Sequence, residues 1–210
     1  MVKQGNLQPV NYLAHAYLSL RQPELLVGNL ISDFVKGRAQ FDYPPGIQRG
    51  IQLHRAIDSF TDAHPVNALA RKVFKPAVGL YAGAFVDIVY DHYLAKDNLA
   101  FPGESLLVYS QWVYSAMGDY TAHFPEKFAR MFPYMKSQDW LTNYQQRTGI
   151  ERSMEGLVRR AKYLENSQEA FAAFEAEYDY LEKCYHRFFP ELLLFVNNYY
   201  RQLLTSPEKP

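Results

Sequence analysis

Apolar side chains in this chain recur three and four residues apart, and few segments alternate strictly, which predicts helices and no significant sheet. Leu13, Ala16, Tyr17 and Leu20 fall on one face of a helix over residues 11–20. Pro23 suits the first turn of a second helix, running to about Val35 and stopped near Gly37. Tyr43-Pro44-Pro45-Gly46 is a breaker, and Pro45 opens a helix to about Asp62. His64 precedes Pro65 and so resists the α conformation, which marks a boundary. A long helix is predicted from Gly79 to about Leu94, before Pro102-Gly103 breaks the chain again. Residues 105–117, 121–131, 134–144 and 150–164 read as further helices. Residues 168–187 are strongly amphipathic, with Phe171, Phe174, Tyr178, Leu181 and Tyr185 in register. After Phe189-Pro190 a last helix is expected to about Leu204. The expected fold is all-α: a single-domain bundle of eight to ten helices over residues 1–204, with a frayed tail at 205–210.

A chain of 210 residues suits one domain and buries roughly 70% of its unfolded surface, so it needs no staples. Seventeen Tyr and 14 Phe fill gaps between helices. Basic and acidic residues number 22 each, which argues against a general nucleic-acid binder and leaves room for a local basic patch. The single Cys184 excludes an intramolecular disulfide and makes a thiolate metal site implausible. The start Met1-Val2-Lys3-Gln4-Gly5 lacks a leader's apolar stretch, and no run of about 18 uninterrupted apolar residues occurs. The expectation is a cytoplasmic protein without a membrane partner.

The chemistry lies in the first hundred residues. In Gly50-Ile51-Gln52-Leu53-His54-Arg55-Ala56-Ile57-Asp58-Ser59-Phe60-Thr61-Asp62, His54, Asp58 and Asp62 recur every four residues and form one stripe, bordered by apolar side chains. An inward His and carboxylate need a compensating partner, and a metal is one. Asp87 and Asp91 repeat the spacing in Phe85-Val86-Asp87-Ile88-Val89-Tyr90-Asp91-His92-Tyr93-Leu94. Upstream lie His15, in Asn11-Tyr12-Leu13-Ala14-His15, and Asp33, in Gly28-Asn29-Leu30-Ile31-Ser32-Asp33-Phe34-Val35-Lys36-Gly37. Taken alone, His15 reads more readily as a satisfied core histidine, and Asp62 reads equally as a junction cap. His123 and His186 read as structural. Imidazole and carboxylate donors without thiolate suit Mn, Fe or Mg, with Zn also open. Such an ion lowers the pKa of a bound water and polarises a phosphoryl oxygen. Arg55, Lys36 and Arg38 are then candidates to hold a phosphate.

Taken together, these four segments, with Phe188-Phe189-Pro190 near the end, resemble the acyl carrier protein phosphodiesterase family over nearly the whole chain. The resemblance implies hydrolysis of the phosphodiester between 4′-phosphopantetheine and a serine of acyl carrier protein. It also implies a divergent HD-type metal phosphohydrolase fold with manganese favoured. The adjacent His-Asp pair usual in HD proteins is absent; the chain has Asp91-His92 in reverse order. On this reading His54, Asp58, Asp91 and His92 bind the metal. Asp33 is a further ligand or the base that orients water, and Arg55 stabilises phosphoryl charge. The partner is an acidic carrier protein, with Arg49, Arg55, Arg71, Lys72 and Lys75 as docking bases and Arg159, Arg160 and Lys162 as a second patch. Two other readings stay open: a metal phosphohydrolase acting on a small phosphoester or nucleotide, and a non-catalytic helical module that binds acidic carrier proteins.

Overall fold

The computed structural model describes residues 11–205; the leader reading at residues 1–5 and the tail after Thr205 lie outside the described residues. Among these residues there are eleven α-helices and no strand, so the all-α expectation holds. The first helix, α1, is short (Tyr12–Tyr17) and ends in a turn where Leu20 and Arg21 both take left-handed backbone, with φ of 52° and 58°. Pro23 sits in the first turn of α2 (Pro23–Ile31). This helix ends four residues short of the expected Val35, where the chain tightens into a 3₁₀ turn over Ser32–Phe34 and then into another over Gly37–Asp42. Next come α3 (Pro45–Ala63), α4 (Pro65–Val78) and α5 (Ala82–Lys96). The sequence reading missed α4 and began α5 three residues early, because Gly79, at φ 56°, starts a 3₁₀ turn instead of a helix.

The core of the site's scaffold is the crossing of α2 and α3. A Cβ on Gly28 would collide with the Ile47 carbonyl oxygen, and one on Gly50 with the Leu25 carbonyl oxygen. Two glycines facing each other let the two backbones touch, so here the missing side chains set the interhelical distance. The helices α4 and α5 form an antiparallel pair beside them. The stretch Pro65–Lys96 has the length and mean hydropathy (1.3) of a membrane span. However, Gly79–Tyr81 divides it, and its two halves pack on each other, so its apolar character belongs to the core.

The rest encloses this core: α6 (Leu106–Gly118), α7 (Glu126–Ser137), α8 (Trp140–Asn143), α9 (Arg147–Val158), α10 (Gln168–Ala176) and α11 (Tyr178–Thr205). Several boundaries differ from expectation: α7 runs through Pro133 where a break between 131 and 134 is expected, and α9 ends at Val158 instead of Leu164. The predicted helix over 168–187 breaks at Glu177, and α11 runs straight through Pro190. An internal proline costs a helix about 3 kcal/mol or more. Here the flanking Phe188, Phe189, Leu192 and Val196 are all buried, and α11 packs on α3, α4 and α5, so tertiary packing outweighs the local penalty.

Candidate metal centre

Three helices converge on one buried amide. Asn29, fully buried on α2, donates through Nδ2 to the His15 carbonyl oxygen (2.9 Å) and to Ser19 Oγ (3.1 Å). The carbonyl can only accept, so it fixes which end of the amide is nitrogen. Asn29 Oδ1 is therefore the acceptor, and it faces Nδ1 of His15 at 2.7 Å and Nδ1 of His54 at 3.2 Å. Both imidazoles donate from Nδ1 to the same oxygen. Both Nε2 atoms thus carry a lone pair when the rings are neutral, and both turn the same way, since the rings stack at 4.1 Å with 19° between planes.

What those lone pairs meet is negative. Asp58 Oδ1 lies 3.5 Å from His15 Nε2, Asp58 Oδ2 lies 3.2 Å from His54 Nε2, and Asp33 Oδ1 lies 3.3 Å from His54 Nε2. None of these is aligned as a hydrogen bond to the buried His54 Nε2, which is left without a hydrogen-bonding partner. A lone pair aimed at a carboxylate oxygen is repulsive unless a cation sits between them. A proton can serve one ring. Burial disfavours the charged form of His54, but the Asp33 and Asp58 carboxylates outweigh it and push the imidazole up to about 10. Conversely, burial would raise Asp58, yet the two imidazoles hold it well below the usual carboxylate range. Protonating both rings would stack two cations 4.1 Å apart. One divalent ion compensates all four groups at once.

The spacing fits an ion as well. Ligand atoms held ~2.1 Å from one ion, at angles between square and tetrahedral, lie roughly 3.0–3.4 Å from each other. The observed separations are 3.2, 3.3 and 3.5 Å, and one ligand atom from each of His15, His54 and Asp58 lies within 4.8 Å of the others. The donor set of two imidazoles and carboxylates suits a divalent metal, and the imidazoles are buried while the side chains of Asp58 (49% exposed) and Asp33 (32%) form the open side. A substrate would approach from that side.

Of the expected ligands, His54, Asp58 and Asp33 come together, and Asp91 and His92 do not. Asp91 is fully buried, and its two oxygens accept from the backbone nitrogens of Leu13 (3.0 Å) and Ala14 (2.8 Å) at the start of α1, with a further hydrogen bond from Tyr144. It caps the helix that carries His15. Burial nonetheless pushes its carboxyl well above the ordinary value. His92, pointing a different way round α5, spends Nδ1 on the Tyr144 carbonyl (2.7 Å) and Nε2 on the Tyr178 hydroxyl (2.9 Å). Both residues act as structural polar groups, which corrects their assignment as metal ligands. Two residues outside the expected ligand set join the site: His15, which the sequence offers as a candidate but which taken alone suits a core histidine, and Asn29, which the sequence does not single out. A fully polar amide within the apolar run of α2 was the available signal.

The basic residues divide in the same way. Arg55 donates to Gln40 Oε1 (2.7 Å) and to the Val35 carbonyl (3.3 Å), fastening the segment that follows Asp33. Lys36 and Arg38 are exposed on that segment. Arg71 donates to the Asp62 carboxylate (3.2 Å) and carbonyl (2.8 Å), tying α3 to α4, so the Asp62 carboxylate meets a guanidinium and not the backbone nitrogens of a cap. Lys72 and Lys75 are exposed on α4, and Arg49 is half-buried on α3. Asp87 is half-buried; burial first, then the charges of Asp58 and Asp62, push it up to about 8.

Fold and site thus define an all-helical protein with a histidine–carboxylate cluster compatible with a divalent cation. Its sequence places it more narrowly. The sequence profile of acyl carrier protein phosphodiesterase matches residues 10–192. The acyl carrier protein phosphodiesterase of Yersinia pestis is 32% identical over 186 residues, covering 88% of this chain and 96% of that protein. That of Klebsiella pneumoniae (strain 342) is 30% identical over 190 residues, covering 90% and 98%. No solved structure matches the chain significantly. The chain belongs to the acyl carrier protein phosphodiesterase family, a family of phosphoric diester hydrolases.

Proposed function

We propose that this protein hydrolyses the phosphodiester between 4′-phosphopantetheine and a serine of holo acyl carrier protein, giving apo carrier protein, with manganese as the favoured ion and Mg, Fe or Zn as the other ions to try. The observation that carries the reading is the pair of buried Nε2 lone pairs facing two carboxylates, in a chain whose relatives are named acyl carrier protein phosphodiesterase. His15, His54 and Asp58 would hold the ion, with Asp33 as a fourth ligand or as the group that orients water. When bound, the ion supplies Lewis acidity toward the phosphoryl oxygens and a more acidic water. The chain's own groups do the remaining work. Asn29 locks both rings in the Nδ1–H tautomer and so keeps both Nε2 atoms basic. Asp58 spans the two rings. Arg55 holds the segment behind Asp33 in place and keeps donors to spare for phosphoryl oxygens. The exposed Lys36, Arg38, Lys72 and Lys75 offer an acidic carrier protein its docking charges, and the proposal carries a cytoplasmic location with it.

The test is the intact mass of holo acyl carrier protein after incubation with this protein and Mn²⁺, with and without a chelator. Loss of the whole phosphopantetheine group is expected only without chelator, and Asp58→Ala should be folded and nearly inactive. An unchanged mass with folded protein and each of the four metals would remove this substrate. Full turnover by Asp58→Ala would remove the cluster from the mechanism.

A further inference from the structure

A cavity of about 340 Å³ opens beside Tyr12 of α1, within the size range of small-molecule sites. Its walls include Tyr12, Trp140 and Tyr144, its polar edge includes Asn143, and Arg152, Arg159 and Arg160 bring guanidinium groups to it. Tyr12 stands one helical turn before His15, so the cavity and the metal centre share α1 as a wall. The Tyr12 hydroxyl feels both neighbours: burial raises it most, the Arg160 charge opposes, and the Asp33 charge adds to the rise.

Gly156 makes the cavity more than an accident of packing. It sits within α9, where glycine costs roughly 0.5–1 kcal/mol relative to alanine. Gly149, also on α9, has a packing reason: a Cβ there would collide with the Asn143 carbonyl oxygen. Gly156 has none, since a Cβ would meet only the tips of Arg159 (3.7 Å) and Arg160 (3.9 Å). What the missing side chain preserves is open space between two guanidinium groups. Aromatic walls with amide and guanidinium donors suit an uncharged chain rich in carbonyl oxygens. They suit a small anion less, because such an ion would leave the rings of Tyr12, Trp140 and Tyr144 uncovered.

Building on the proposed substrate, we infer that this cavity receives the pantetheine arm of the prosthetic group, with Arg160 donating to its amide carbonyls and the rings of Tyr12 and Trp140 covering its methyl groups. The arm's occupancy would then set which phosphodiesters the metal centre sees. The experiment is a chemical-shift titration of free pantetheine into the full chain with chelator present. Pantetheine has no phosphate and the titration needs no ion, so it reads the cavity alone, whatever the mass experiment on holo carrier protein shows.

Saturable binding is expected in the wild type. Gly156→Leu, which fills the cavity without a backbone clash, should weaken it at least about tenfold. Arg160→Ala, which removes one donor group and leaves α9 intact, should weaken it by about three- to tenfold. His54→Ala should leave it within about twofold, because the metal centre is not needed. The inference is overturned if the wild type shows no saturable binding. It is equally overturned if neither cavity variant weakens binding while both keep wild-type helicity, or if His54→Ala abolishes binding in a folded protein.

Discussion

Asn29 does more for the site than its neutral side chain suggests, because one oxygen sets the tautomer of two imidazoles. Asn29→Ala should therefore lower metal affinity or turnover by about 10- to 100-fold although Asn29 itself is no ligand. Calorimetric Mn²⁺ titration of the folded variant checks this, and affinity unchanged from wild type would break the link. His92 supplies a different signature. Burial, which leads, lowers its imidazole from 6.5 to about 4; the hydrogen bond to the Tyr144 carbonyl opposes it, and the Lys96 and Arg147 charges add to the fall. Its folded pKa lies below its unfolded one, so the unfolded chain takes up a proton that the folded chain refuses. Its contribution is intact above pH 6.5 and is lost as pH falls from 6.5 to about 4, by up to about 3 kcal/mol. Urea midpoints measured across that window should fall steeply in the wild type and less steeply in His92→Gln, which keeps an amide donor and acceptor.

At the level of helices, the contact between Gly28 and Gly50 is what brings Asn29 within reach of His54. Either glycine replaced by alanine forces α2 and α3 apart. Overpacking of this kind costs roughly 1–3 kcal/mol. Gly50→Ala should thus lose stability in chemical denaturation and also bind metal more weakly, whereas Gly156→Ala, in open space, should do neither. The second anchor is Asp91, whose two backbone hydrogen bonds hold the start of α1 against α5 and so place His15. An acid that reads as a ligand in the sequence thus acts one step removed, by fixing the helix that bears a ligand.

For the molecule as a whole, an ion that binds only the assembled cluster should stabilise the fold by mass action. At one hundred times its dissociation constant the gain is about 2.7 kcal/mol. Mn²⁺ should raise the melting temperature of the wild type and leave that of His54→Ala unchanged, because the four groups come from three separate segments that meet only in the folded chain. An equal rise in both proteins would locate the ion elsewhere.

The amphipathic spacing determined the all-helical class, since side chains three and four apart must share a buried face wherever they occur. It also drew attention to His54, Asp58 and Asp33, because acids and imidazole bordered by apolar residues need a partner. Local signals failed where long-range contacts decide. The proline that should end a helix at residue 190 is carried inside α11 by burial of its neighbours, and α4 was hidden because proline at both ends of a short stretch looks like a break. The ligand set was of the same kind. Adjacent Asp91 and His92 look paired in the sequence, yet neighbouring residues on a helix point about 100° apart, and each found its own buried partner. His15 and His54, 39 positions apart, share one oxygen only because two glycines let α2 lie directly on α3, a distance that no single segment encodes.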